Sequence, residues 1–284
     1  MTMNNTDKDM LLRLGAGDSI QAICEDAGLT RAEFDQWWTE QTAARVPSME
    51  GARTVSGLSG PVEIARDEWG VPHVLAETDD ALFFGYGYAT AQDRLWQLDY
   101  YRRKARGRLS EVIGPSGVEI DTVSHTIGLT RTAEANLARF PEKTKRRLQA
   151  YTDGVNAFME ESRGNLPIEF DLLGYEPHEW TSLDSVAIWQ EFRWYLTGRL
   201  PIIAIPELGK RVLGEGPLLD LFLTGEAEEE SIVPKGSYPA ARTGEVPVGD
   251  VVGDPDEGIG SNNWVVSGSK STTGSPMVAS DPHI

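Results

Sequence analysis

A segment from about residue 225 to residue 259 limits what this chain can fold into. It begins with EAEEE and continues as SIVPKGSYPAARTGEVPVGDVVGDPDEGI, so it is rich in proline, glycine and acids and has little apolar periodicity. Such a composition cannot bury enough apolar surface to offset the entropy of ordering its backbone. We therefore predict a linker, and the compact parts must come from the residues before and after it.

The overall charge excludes some classes of partner. The chain has 284 residues, with 26 Lys and Arg against 44 Asp and Glu, which gives a net charge of −18. Nucleic-acid affinity comes largely from basic side chains that neutralise phosphates, and anionic membrane surfaces also attract basic residues. We therefore expect neither nucleic acid nor a membrane as a partner.

Cysteine usage and the N-terminal sequence bear on the compartment. The single cysteine, Cys24, cannot form an internal disulfide or a cysteine-based zinc site. The polar start MTMNNTDKDM is not followed by an apolar signal region, and no stretch approaches the roughly 20 apolar residues of a membrane helix. The expected location is the cytoplasm.

Residues 1–46 are predicted to form a small helical module. Asp18 or Ser19 is placed to cap one helix, Gly28 to end it, and Thr30 to cap the next helix. A helix, a short glycine turn and a second helix resemble a helix-turn-helix. The second helix is mostly acidic, which suits a major groove poorly, so a packing or interaction role is favoured over DNA binding.

The central region, 60–225, is predicted to be mostly helical. VEIA and VPHVLA read as two strands around a DEWG turn, and a long amphipathic helix follows from near Ala81 to Ala105, with room for an interruption. Residues 130–162 predict two more helices, and TSLDSVAIWQEFRWYLTG predicts another, capped by Ser182 or Asp184. The FGYGYA glycines lack a third partner for a dinucleotide fingerprint and indicate close helix packing.

After the linker, Trp264 to Val266 and the MVAS stretch predict a hairpin around a polar turn that contains Gly274. Antiparallel return brings His283 back toward Ser261. The chemistry-bearing residues are otherwise sparse, because the four histidines are scattered and no metal-ligand spacing or phosphate-binding loop occurs. Spacing alone selects no catalytic triad from the many serines.

Three stretches of sequence indicate a family, which residue spacing alone does not. RDEWGVPH, GYGYATAQDRLWQLD and GSNNWVV together resemble the penicillin acylase (penicillin amidase) family of N-terminal-nucleophile hydrolases, and the resemblance runs from about residue 60 to residue 284. It implies an α+β fold: a mostly helical α-chain region over 60–225, a spacer over 226–260, and over 261–284 the first strands of an αββα sandwich, cut short. Residues 1–46 lie outside it.

The resemblance also implies a precursor that cuts itself and becomes a heterodimer of α and β chains. The scissile bond is then Gly260–Ser261, and Ser261 becomes the nucleophile with its own freed amine as the base. An α-amine has a reference pKa of roughly 7.7–8.0, which suits a base at neutral pH. The resemblance implies that His283 orients the Ser261 hydroxyl and amine or handles their proton. The alternative is that His283 is a polar residue next to Pro282 whose hydrogen bonds are satisfied and which has no catalytic role.

Other implied residues lie in or after the WQEFRWYLTG helix. A gap-free match places Arg193 and Thr197 at positions that line the acyl pocket in relatives, and ordinary helix faces are the alternative. Many relatives have a calcium-binding glutamate shortly after this helix. Here Ile203 stands at that position and Glu207 is reached only by a shift, so no calcium or other cofactor is expected.

Two functions remain open at this stage. In the first, the chain is an amidohydrolase precursor whose partners are a small-molecule acyl amide and the remainder of the β chain. In the second, it is an inactive acylase fragment that binds a ligand or regulates another protein through its N-terminal module. The GSNNWVV stretch and the negative charge favour the first, and the missing oxyanion-hole part of the family fold favours the second. The acyl group of the substrate stays undefined.

Overall fold

The computed structural model describes residues 5–197, 200–223 and 260–283, and the predicted spacer up to residue 259 lies outside them. The chain divides into two compact units, one ending at Tyr195 and the other beginning at Leu196. The helices are α1 (Asn5–Gly15), α2 (Ile20–Ala27), α3 (Arg31–Ala43), α4 (Asp79–Arg106), α5 (Ser110–Ile113), α6 (Val118–Ile127), α7 (Leu129–Arg139), α8 (Glu142–Glu161), α9 (Ile168–Leu173), α10 (Ser182–Thr197), α11 (Leu200–Leu213) and α12 (Pro217–Leu223). The strands are β1 (Val62–Arg66), β2 (Pro72–Ala76), β3 (Gly260–Val266) and β4 (Met277–His283).

The N-terminal module has the helices that the sequence predicts. Ser19 accepts a hydrogen bond from the N–H of Ala22 at the start of α2, and Thr30 forms a capping box with Glu33 at the start of α3. Gly28 ends α2 with φ 68°. A small separate core joins the three helices, built around Met10, Ile23, Cys24 and Phe34. The predicted caps are confirmed, with Ser19 rather than Asp18 at the first helix.

This module packs against α9 within the same unit. A Cβ atom at Gly15 would lie 1.8 Å from the carbonyl oxygen of Leu172, so the backbones of α1 and α9 touch where only glycine fits. The guanidinium of Arg45 is almost fully buried and lies 2.7 Å from the carboxylate of Asp171. The module is therefore fastened to the central helices at two points.

Strands β1 and β2 form the predicted hairpin, with Ile64 opposite Val74. The DEWG turn is held by Asp67, whose carboxylate accepts the N–H groups of Trp69 and Val71, each at 2.9 Å. The inner face packs on α4, where a Cβ at Gly85 would meet a methyl group of Val74 at 2.7 Å. The signature stretch RDEWGVPH thus has a structural explanation.

Helices α4 and α8 form the centre of the larger unit. Thr78 caps α4, and Arg94 (φ −141°, ψ 24°) interrupts it, as the sequence pattern allowed. A Cβ at Gly87 would lie 2.1 Å from the carbonyl oxygen of Tyr151, and one at Gly154 would lie 2.0 Å from that of Phe84. The glycines therefore serve close helix packing, as predicted. The adjoining core contains Tyr88, Ala91, Leu95, Val155, Phe158, Phe170 and Trp180.

The start of α10 differs in detail from the prediction. The helix begins at Ser182, and the residue before it is Thr181, whose backbone N–H and hydroxyl both donate to the carboxylate of Asp184 at 2.8 Å. Asp184 therefore lies inside the first turn instead of capping the helix. Its carboxylate also pairs with Arg106 on α4, which holds it at that position.

The second unit contains two helices and one hairpin. Pro206 lies inside α11, and Gly214 follows the helix with φ 69°. The polar turn between β3 and β4 includes a short 3₁₀ helix (Gly268–Lys270) and Gly274 with φ 72°. The described chain is mostly helical with two short hairpins, in agreement with the expected fold class. Within these ranges no helix is long and apolar enough to cross a membrane.

Candidate active-site hairpin

The register of β3 and β4 decides which predicted site residues meet. Gly260 pairs with His283, Ser261 with Pro282, and Asn262 with Asp281. Directly opposite residues in an antiparallel pair have Cα atoms about 4.5–5.5 Å apart. His283 therefore returns to the end of the strand on which Ser261 lies, and its backbone partner is Gly260 rather than Ser261.

The hairpin carries apolar residues at consecutive positions along its strands. Val265 lies opposite Val278, and these side chains are 71% and 75% exposed. Trp264, at the next position, is 52% exposed. Because successive side chains of a strand point to opposite faces, both faces of the hairpin are apolar. Strands of this kind are typical of sheets that are covered on both sides.

Arg193 and Thr197 lie about one turn apart on α10. The guanidinium carbon of Arg193 is 5.1 Å from the centre of the Trp189 ring, a cation–π arrangement. Trp189, Phe192 and Tyr195 are all exposed, which gives this end of α10 an aromatic surface. Arg193 belongs to the larger unit and the hairpin to the smaller one.

The positions considered for calcium lie on one helix. Ile203 and Glu207 both lie in α11, and the exposed carboxylate of Glu207 is 3.7 Å from the guanidinium of Arg211. Calcium takes about six to eight oxygen ligands. Across the ranges that the structure describes, no three histidine, cysteine or acidic side chains are placed to share a metal.

Two other histidines have structural partners. His73 Nε2 lies 3.0 Å from the carboxylate of Asp67, and this contact and the backbone N–H donors lower the pKa of Asp67. His125 Nε2 lies 2.9 Å from the carbonyl oxygen of Gly107. Both histidines hold turns, at the β1–β2 hairpin and after α4.

A buried charge cluster at the end of α4 was not predicted. The carboxylate of Asp99 is 1% exposed and lies 2.5 Å from Arg102 and 2.7 Å from Arg103. It also accepts a hydrogen bond of 2.9 Å from the Tyr175 hydroxyl. Burial raises the pKa of this phenol, and the neighbouring Asp99 raises it further. The i, i+3 and i, i+4 spacing of these charges is visible in the sequence, but their burial is not.

Two more carboxylates complete the cluster. Asp184, 1% exposed, lies 2.8 Å from Arg106. Glu111 lies 2.9 Å from Arg103 and 2.8 Å from Arg108. The cluster joins the end of α4 to α5 and to the first turn of α10, so it fixes the helix that carries Arg193.

Comparison with known proteins assigns the chain to a family. The sequence model of the family described as Penicillin amidase matches residues 61–284. The penicillin acylase 2 proenzyme of Pseudomonas sp. (strain SE83) is 32% identical over 86% of this chain and 33% of its own length. The acyl-homoserine lactone acylase QuiP of Pseudomonas aeruginosa is 30% identical over 96% of this chain and 33% of its own length.

A solved structure supports the same assignment. A chain of the thermostable penicillin G acylase from Alcaligenes faecalis is 28% identical, with a TM-score of 0.53, over 64% of this chain and 99% of that chain. The present chain spans about a third of the length of the two curated relatives. On the family match, which covers most of its length, the chain belongs to the penicillin amidase family.

Proposed function

We propose that this chain is the precursor region of an amidohydrolase that cuts itself between Gly260 and Ser261 and then hydrolyses a linear amide bond of a small-molecule acyl amide. The hairpin register carries the proposal, because it brings His283 to the same strand end as the Gly260–Ser261 bond. The family match through residue 284 and the word proenzyme in the name of one relative support a precursor.

The self-cleavage step uses only groups at this bond and water. The Ser261 hydroxyl oxygen attacks the Gly260 carbonyl carbon, the C–N bond breaks, and the nitrogen takes the hydroxyl proton. This leaves an ester on Ser261 and a free α-amine. Water then hydrolyses the ester to a Gly260 carboxylate and a free Ser261 hydroxyl. Glycine suits the strained backbone that this shift requires.

Cleavage creates the base for the second reaction. A serine hydroxyl is a weak nucleophile unless a base takes its proton, and the freed α-amine serves that purpose. The Ser261 oxygen attacks the substrate carbonyl, and the leaving amine takes up the proton. Water then releases the acid from the acyl-enzyme. Because the reference pKa of an α-amine is about 7.7–8.0, the rate should fall as the pH drops below this range.

In this proposal His283 acts at the cleavage point. As the strand partner of Gly260, its backbone is next to the bond that breaks and the amine that forms. We expect it to orient that amine or to handle its proton. Arg193 and Thr197 are proposed to contact the acyl group, and a guanidinium next to exposed aromatic rings suits an acyl group with both apolar and polar parts.

The partners of the proposed enzyme follow from the relatives. Their names describe acylases of penicillin and of acyl-homoserine lactones, so we expect an acyl amide as the substrate of this chain. Since the curated relatives are about three times longer than the aligned part, the second partner is the remaining β-chain sequence. The matched chain of the solved relative is short, since 64% of the present chain covers 99% of it. Its length supports an α chain that is separate from the rest of the enzyme.

Intact mass spectrometry of the gene product tests the cleavage. Two chains that separate between Gly260 and Ser261 are expected from the wild-type protein, and a single uncut chain from Ser261→Ala. Ser280→Ala removes another hydroxyl from the same hairpin, opposite Asn263, and should be cut normally. Unchanged cleavage of the Ser261→Ala protein would refute the assignment of the nucleophile.

Release of p-nitroaniline from acyl p-nitroanilides tests the second reaction. The processed wild-type protein, completed by its β-chain remainder, should release p-nitroaniline over many turnovers. Ser261→Ala should give none. A protein that cuts itself normally but hydrolyses none of a series of acyl anilides would support the self-cleavage and refute the proposed amide hydrolysis.

A further inference from the structure

A small cavity lies inside the charge cluster at the end of α4. Its volume is about 40 Å³, several times the roughly 10–15 Å³ that one water molecule needs. Four arginines line it together with two acidic residues and a histidine: Arg102, Arg103, Arg106, Arg108, Asp184, Glu179 and His178. The side chains of Arg102 and Arg103 are each only 6% exposed. The side chains of Arg106 and Arg108 are 28% and 41% exposed, so the cavity lies between two buried cations and two partly exposed ones.

The carboxylates in the cluster are fewer than the cations. Asp99 pairs with two arginines, Glu111 with two, and Asp184 with Arg106 at 2.8 Å and Arg102 at 3.6 Å. Three carboxylates are thus shared among four guanidinium groups. Water screens the charges of the exposed groups, which are Glu179 and the Arg108–Glu111 pair. The less exposed groups are then two carboxylates, Asp99 and Asp184, for the three guanidinium groups of Arg102, Arg103 and Arg106. The opposite half charges of the end of α4 and the start of α10 largely offset each other.

Several N–H donors of these arginines have no protein partner. Arg103 bonds through Nε and Nη1, and Arg106 through Nη1, so their Nη2 groups make no hydrogen bond to any described residue. Arg108 similarly leaves Nη1 unpaired. In the described chain the fully buried donors without a partner are Trp96 Nε1 and Gln190 Nε2. The free guanidinium nitrogens therefore reach solvent-accessible space.

We propose that this cavity binds a small inorganic oxyanion of the size of phosphate. Guanidinium groups present paired N–H donors that match two oxygens of such an ion, and charge-assisted bonds of this kind are strong. The ion would supply the missing negative charge and accept the unpaired donors. Since the cluster joins α4, α5 and the first turn of α10, the bound ion would stabilise the position of α10.

The overall charge makes such a site easy to detect. A chain with a net charge of −18 repels anions over most of its surface. Saturable binding of one phosphate per chain would therefore stand out from general salt effects. His178, which also lines the cavity, donates no side-chain bond to the cluster but accepts a 2.7 Å bond from Arg102 through its carbonyl oxygen.

Calorimetric titration of the full chain with inorganic phosphate, at constant ionic strength set by NaCl, tests the proposal. One saturable site is expected. Arg108→Gln should weaken it about tenfold, the loss of one charge-assisted contact. Arg108 is chosen because its side chain is 41% exposed and its loss leaves the buried pairs of Asp99 in place. Arg108→Lys keeps the charge without the paired donors and should give an intermediate affinity.

Arg163→Gln is the matched control. Arg163 also pairs with a glutamate three positions away, Glu160, and is exposed, but it is not among the residues that line the cavity. It should bind phosphate like the wild type, and phosphate should raise the melting temperature of both proteins. The absence of saturable binding to the wild type, or equal weakening by Arg108→Gln and Arg163→Gln, would overturn the proposal.

Discussion

The α4–α8 pair and the β3–β4 hairpin differ in how far their apolar residues are buried. In the helix pair, Gly87 and Gly154 allow backbone contact, and Val155, the residue after Gly154, is completely buried. In the hairpin, Val265 and Val278 face each other across the strands and are more than two thirds exposed. The helices thus bury their own apolar residues, whereas the hairpin mainly sets the positions of residues at its end.

This difference teaches where substitutions should act. In the helical region a side chain is constrained by neighbours on several sides, so its replacement should change the free energy of unfolding. In the hairpin the side chains of Val265 and Val278 are exposed, so their replacement should change the free energy of unfolding little. Each prediction below compares a substitution at a buried or closely packed position with one at an exposed position.

The largest effect is expected from Asp99→Asn on α4. The variant would leave Arg102 and Arg103 buried without their shared carboxylate, which typically costs about 3–5 kcal/mol. Urea unfolding followed by far-UV circular dichroism measures it. Glu160→Gln, which removes an exposed carboxylate paired with Arg163, should change stability by less than about 1 kcal/mol. Similar losses of unfolding free energy in both variants would show that burial of the charge cluster does not determine its contribution to stability.

Gly87→Ala tests the close approach of α4 and α8. The added methyl group would lie 2.1 Å from the carbonyl oxygen of Tyr151, so the helices must separate, at a cost of about 1–3 kcal/mol. Gly60→Ala is the control, because nothing lies within 4 Å of the added atom and the φ of Gly60 is ordinary. A stable Gly87→Ala variant, measured by the same urea titration, would mean that the helix pair is looser than described.

Asp121→Ala should cost about 1–2 kcal/mol at neutral pH. The Asp121 carboxylate accepts the N–H groups of Leu109 and Ser110 at 2.7 and 2.9 Å. Burial raises the pKa of Asp121, but the bonds from Ser110 and Leu109 and the nearby His125 lower it more, to below 3.8. A lowered folded-state pKa means that this stabilisation is complete above 3.8 and is lost as the pH falls below it.

The comparison of wild type and Asp121→Ala over pH 7 to pH 3 checks that sign. The difference in unfolding free energy should stay constant down to about pH 5 and shrink as the pH falls further. A difference that grows as the pH falls would contradict the assigned role of the carboxylate. Asp153→Ala, a helix residue bonded only to Gln149 in the described chain, provides a control for loss of an acidic side chain.

Local features of the fold could be predicted from the sequence because their causes are local. The caps at Ser19 and Thr30 depend on residues within one turn, and the extent of α4 follows from its periodicity. The approach of His283 to Ser261 also follows from the symmetry of a hairpin about its turn. These predictions needed no knowledge of distant residues.

The buried charge cluster could not be predicted, for the opposite reason. Asp99 and Arg103 have the spacing of an ordinary exposed helix pair, and the side chains that bury them come from about 80 residues later. Tyr175 reaches Asp99, and Trp180 covers Arg102 at 5.1 Å. The cap of α10 was misplaced for a different reason, since the bonds from Thr181 to Asp184 span only three residues and are local.

The smallest effect is expected from Val265→Thr in β3. This change keeps the shape of the side chain and adds a hydroxyl, which water solvates at an exposed position, so the free energy of unfolding should change by less than about 0.5 kcal/mol. Val155→Thr is the same change at a fully buried position of α8 and should cost about 1–3 kcal/mol, because the hydroxyl is buried there. Urea unfolding of the two variants compares the regions directly. A cost above about 1 kcal/mol for Val265→Thr would mean that Val265 is buried in solution. The helix pair and the hairpin would then differ in what covers them and not in how far they are exposed.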